Sequence, residues 1–165
     1  MSLRRDSAKL MVGFAVLVAL HFYVRPRIWE GRAAPDFLIL ALMLIATRAR
    51  PGVAAVAGFV VGLITDVLTP AHFGAGALAH TIVGYLGAWG RAVFFPHNLV
   101  VNAGFFAGAV ILRNLILLIA SGTSAATLIA PDFLISTPLQ ALTTAAAGTV
   151  VLLLFRNWFS IRLAV

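Results

Sequence analysis

The chain has 165 residues, of which 62% are hydrophobic and only 10% charged, and its mean hydropathy is +1.04. A soluble domain carries about 25% charged residues to face water, so a surface with five Asp and Glu excludes a soluble globule and points to a polytopic membrane protein. The net charge of +7 does not argue for nucleic acid, because Lys and Arg occupy short breaks between apolar runs, where they act as topology signals; the absence of cysteine excludes disulfides, thiol catalysis and thiolate metal sites.

Crossing the hydrocarbon takes about 20 apolar residues, fewer where the ends snorkel. Apolar runs at 8–24, 35–47, 52–69, 72–95, 98–121 and 132–155 predict an all-α integral membrane bundle of six transmembrane helices, forming one domain over 1–165. The first run follows Arg4, Arg5 and Lys9 as a secretory signal would, but no small-residue cleavage site follows, so an uncleaved helix is expected. The second run is short, and the tight RARPG break at 48–52 predicts a helical hairpin with the third. Links are brief throughout and leave no room for a soluble catalytic domain.

Two of these runs open on the same hexamer, APDFLI at 34–39 and 130–135. Pro35 and Pro131 suit a first helical turn, where a missing N–H loses no bond, and Asp36 and Asp132 face the positive end of the helix dipole. Beyond the hexamer the two runs diverge, so the echo reads as a shared helix-start motif and not as a duplication.

Basic residues set the orientation. With the N-terminus in the cytoplasm, the inside receives Arg4, Arg5, Lys9, Arg48, Arg50, Arg91, Arg156 and Arg162. The outside receives Arg25, Arg27 and Arg32, in one loop. The positive-inside rule predicts both termini in the cytoplasm. The basic outer loop reads either as a solvated loop or as a surface for an acidic partner.

The third run carries Ala54, Gly58, Gly62 and Asp66 at four-residue intervals, hence on one helix face. Small residues let another backbone approach closely in a membrane, and the face fits either a helix of the same chain or a separate partner helix. At 1.5 Å per residue, Asp66 lies about 21 Å above the cytoplasmic edge and Arg113 about 22 Å, so the two could pair. His21, His80 and Gln140 fall near the same depth. Ionisable groups within the bilayer face the bundle interior and find partners. The resulting buried polar layer of Asp66, Arg113, His80, His21 and Gln140 reads either as an ion pair with hydrogen-bonded neighbours that fixes register, or as a ligand pocket.

Signatures of catalysis are missing. The four His residues lack metal-ligand spacing, Ser121 to Ser124 have no nearby base, and no Gly-rich phosphate loop with its Lys occurs. No catalytic residue, cofactor or metal site is expected.

Pro35-Asp36 opening a short apolar helix, then Pro51, then GFVVGLITDVL at 58–68, Gly74 and GYL at 84–86 together resemble the rod shape-determining protein MreD family. The match is specific over about 34–87; elsewhere length, the six-run hydropathy and the Pro-acidic start of the last helix agree. Met43-Leu44 stands where that family often has an aromatic pair. The resemblance implies a non-enzymatic scaffold in the bacterial inner membrane. It implies an MreC-like partner with one membrane helix and a periplasmic coiled coil, through which MreB filaments are coupled to the peptidoglycan synthase complex. It also implies an architecture similar to the substrate-binding subunits of energy-coupling-factor transporters, whose small-residue first-helix contact Ala15 to Ala19 resembles. The alternative function is accordingly the substrate-binding subunit of a vitamin-type importer.

Overall fold

The computed structural model describes residues 2–28, 33–68, 72–94, 99–120, 122 and 131–155. Every long element among them is helical. The first helix, α1 (Ser2–Ala19), widens into a π-helical turn at Leu20–Val24 and continues as α2 (Arg25–Ile28). Pro26 accounts for the widening. Its ring crowds the carbonyl four residues back and it has no N–H to return, and the Arg25 N–H reaches past to the Leu20 carbonyl instead.

The second element, α3 (Phe37–Ala46), has ten residues. That is about 15 Å of helix against a hydrocarbon core about 30 Å thick, so the run expected as a span at 35–47 is a half-length helix. It is apolar all round, and Leu38 to Leu44 and Ala46 are all buried, as a helix without a polar face must be. Leu17, Val83, Phe106, Val110, Ala141 and Ala145 pack around it. It contacts α1 and each of the four long helices that follow.

Those four are α4 (Pro51–Leu68), α5 (Ala75–Phe94), α6 (Leu99–Ala120) and α7 (Pro131–Phe155). Pro51 occupies the first turn of α4, and Thr47 to Arg50 make the tight α3–α4 hairpin expected from the RARPG break. Three stretches, Pro51–Leu68, Leu99–Ala120 and Phe133–Leu154, are long and apolar enough to cross a membrane. Val56 and Val67 on α4, Trp89 on α5, Ile119 on α6 and Leu142 on α7 are exposed on the outside of the bundle. A soluble protein would bury such residues, and lipid leaves them where they are.

The seam between α4 and α5 settles the small-residue face. Ala54 lies against Gly84, Gly58 against the His80 backbone, and Gly62 against Gly76 and Ala77, each so close that a Cβ on the glycine would overlap backbone. Each turn up α4 meets one turn down α5. The candidate partner-helix interface of Ala54, Gly58 and Gly62 is therefore corrected: this face is occupied by a helix of the same chain, and no separate helix can reach it.

The helix-start motif also divides. In the first copy Pro35 precedes the helix and Asp36 is its N-cap, with Oδ1 accepting from the Leu38 and Ile39 N–H groups at 3.1 Å each. In the second copy Pro131 is the first residue of α7. The side chains of Pro131 and Asp132 lie outside the described set, as do Arg32, Arg156 and Arg162 of the topology argument.

Candidate functional site

Polar side chains gather at the end of the bundle where α3 and α5 begin and α4 and α6 finish. Asp36 is the hub. It is 3% exposed and caps α3, its N–H donates to Thr144 Oγ1 on α7 at 2.9 Å, and its carboxylate forms an ion pair with Arg113 on α6. His21 Nδ1, in the π turn, stands 3.7 Å from Asp36 Oδ1. The non-helical backbone leading into α3 is covered too: Ala34 is buried and its neighbour's carbonyl, on Ala33, accepts from Thr143 Oγ1 at 2.7 Å. Irregular backbone at membrane depth is tolerated only where protein covers it.

Asp66 has a different job. Its Oδ2 accepts from the Gly74 and Ala77 N–H groups at 3.0 and 2.9 Å, and Oδ1 from Gly76 at 2.9 Å. These are N–H groups at the start of α5 that have no carbonyl within the helix, and a carboxylate placed there also meets the positive end of the dipole. Gly74 turns the chain with φ +97°, a conformation in which glycine meets no Cβ penalty. The expected Asp66–Arg113 pair is thus corrected: Arg113 pairs with Asp36, and backbone donors occupy Asp66.

The expected polar residues do not all converge. His21, Asp66, His80 and Arg113 border one cavity of about 290 Å³, together with Asp36, Arg25 and Thr65. Gln140 does not: its Oε1 accepts from Asn114 Nδ2 at 3.0 Å, making a polar clamp between α6 and α7. Within the cavity His80 Nδ1 stands 2.8 Å from the Gly76 carbonyl. A carbonyl only accepts, so Nδ1 carries the hydrogen and Nε2 has a free lone pair. Among the described residues His80 Nε2, His21 Nδ1 and Arg113 Nε are buried without a hydrogen-bond partner. Among the described residues no group of three or more His, Cys, Asp or Glu is placed to hold a metal ion.

Sequence reasoning missed Asp36 as an ion-pair partner and Arg25 as a lining residue. The signal for Asp36 was the brevity of the second run: a helix too short to span starts below the surface, and its capping residue goes down with it. For Arg25 the periodicity was hidden by the π turn, which rotates the residues after it relative to a regular helix.

The family model for rod shape-determining protein MreD matches residues 5–159. No curated protein and no solved structure matches the chain.

Proposed function

The chain belongs to the MreD family of rod shape-determining proteins, and from that premise we propose that it is a non-enzymatic scaffold of the bacterial cell-elongation machinery. In this reading it forms a single six-crossing domain in the inner membrane with both termini cytoplasmic. The second crossing is made by the covered backbone before α3 and by α3 itself. It binds an MreC-like protein through that protein's membrane helix, and so helps couple MreB filaments to peptidoglycan synthesis. Nearly all of the described residues belong to helices or the turns between them, and both carboxylates of the cavity are held by backbone N–H groups, which supports scaffolding over catalysis.

The docking face must differ from the filled α4–α5 seam. An apolar groove of about 240 Å³ runs between α5 and α6, floored by Met43 and bordered by Gly87, Gly104, Gly108 and Phe105. A Cβ at Gly104 or Gly108 would meet nothing within 4 Å, so these two residues, one turn apart, leave room for a foreign backbone of the kind small residues admit. The occupant proposed is the single membrane helix of the MreC-like partner. Among the described residues no charged side chain lines the groove, which suits a segment arriving from lipid. Co-purification from native membranes in mild detergent tests it: Gly104→Leu and Gly108→Leu should insert and fold normally yet lose the coiled-coil protein. Retention of that protein by both variants would remove the groove as the docking face, and its absence from the wild-type preparation would remove the scaffold reading.

A further inference from the structure

We propose that the cavity among His21, Arg25, Asp36, His80 and Arg113 is a binding site for a small oxyanion, a phosphate or carboxylate group. Its volume of about 290 Å³ is near the lower end of ligand pockets, roughly 300 Å³ and above. An apolar void of this kind could stay dry, but this one is polar. Among the described residues three buried atoms on its lining lack hydrogen-bond partners, although buried polar groups in native proteins are nearly always satisfied. His80 is the clearest case, only 2% exposed and with Nε2 unpaired.

The sign of the ligand follows from what is already satisfied. Asp66 holds three backbone N–H groups. Asp36 holds two, and pairs with Arg113. Neither carboxylate is left seeking a cation. The unpaired atoms are mostly donors. Arg113 Nε can only donate. Arg25 Nη1 lies 3.4 Å from His21 Nε2; because Arg only donates, Nε2 accepts and the hydrogen of His21 sits on Nδ1. That N–H is too far from Asp36 Oδ1, at 3.7 Å, to form a good bond with it. Arg25 brings a second guanidinium to the lining, and guanidinium groups match planar or tetrahedral oxyanions. His80 Nε2 asks for one donor in return. A hydrogen phosphate, or a carboxylate carrying a hydroxyl, offers both.

Two sources share this chemistry: a dissolved oxyanion and the phosphate of a lipid headgroup. The full chain in a phosphate-free maltoside detergent separates them. Its unfolding midpoint is followed first against inorganic phosphate at constant ionic strength, and then against added phosphatidylglycerol. A saturable rise with phosphate identifies a dissolved ligand, and a saturable rise with the lipid alone identifies a headgroup. Arg25→Gln and His80→Gln should each weaken the effect about tenfold, the loss of one charge-assisted contact, and Arg25→Lys should restore part of it. Arg25 is half-buried at the edge of the site, so its variants remain decisive even where His80→Gln fails to fold. The proposal is overturned if neither probe gives a saturable rise, if Arg25→Gln responds as the wild type does, or if methylammonium stabilises in place of phosphate. None of these outcomes depends on the coiled-coil partner, so the site and the scaffold reading fail separately.

Discussion

The α4–α5 seam and the Asp36 junction each centre on a buried carboxylate, and they use it in opposite ways. Along the seam, Asp66 completes a local device: it sits eight to eleven residues from the N–H groups it accepts from, and the glycines below it let the two backbones touch. The carboxylate's own needs are met within one hairpin. At the junction, Asp36 reaches Arg113 and Thr144, 77 and 108 residues away, and ties α3 to α6 and α7 across the fold. Its neighbours keep unpaired atoms. A carboxylate satisfied by its own hairpin fixes structure and nothing more. One shared among distant helices fixes the bundle and leaves chemistry over, and that surplus marks the cavity as the place to look for a ligand.

The largest expected effect breaks the junction. Asp36→Asn keeps an N-cap of equal quality but leaves Arg113 as an uncompensated buried charge, and Arg113→Gln leaves Asp36 so. Removing one partner of a buried pair costs about 3–5 kcal/mol, read as a fall in unfolding stability in detergent. Next comes the seam's carboxylate. Asp66→Asn turns an accepting oxygen into a donating NH₂ among N–H groups at the α5 start, and a loss of about 1.5–3 kcal/mol follows from one failed charge-assisted bond.

The glycines sharpen the comparison within one residue type. Gly58→Ala and Gly62→Ala drive a methyl into backbone that cannot move aside as a side chain would, an overpacking cost of about 1–3 kcal/mol. Gly104→Ala and Gly108→Ala, which meet nothing within 4 Å, should stay within about 0.5 kcal/mol of the wild type. Unfolding curves of the four variants check both halves. Equal gains in all of them would mean that helix propensity, which favours Ala over Gly, and not close approach, decides.

Much of the fold was legible because bilayer thickness imposes a length on every crossing. The runs at 52–69, 98–121 and 132–155 each correspond to a long apolar helix, and the four-residue spacing from Ala54 to Asp66 correctly put these residues on one face. What periodicity cannot say is which neighbour fills that face, since a helix from the same chain and one from another chain need the same small residues. Depth was the other limit. The arithmetic that paired Asp66 with Arg113 starts each helix at the membrane surface, but α3 starts within the protein, and so Asp36 drops to the level of Arg113. Gln140 was placed near the right level but on a different side, facing Asn114; rotation about a helix axis decides that, and depth alone does not contain it.

The division of labour between the two carboxylates can be read from a pair of double-mutant cycles. Unfolding stability in detergent is measured for Asp36→Asn, Arg113→Gln and their combination, and in parallel for Asp66→Asn, Arg113→Gln and theirs. Residues in direct contact show coupling of about 0.5–3 kcal/mol, whereas independent ones add. Strong coupling is expected between Asp36 and Arg113, with the double variant milder than the sum, and a clearly smaller term between Asp66 and Arg113. A larger coupling for Asp66 than for Asp36 would contradict that division, and would return Arg113 to the α4–α5 hairpin.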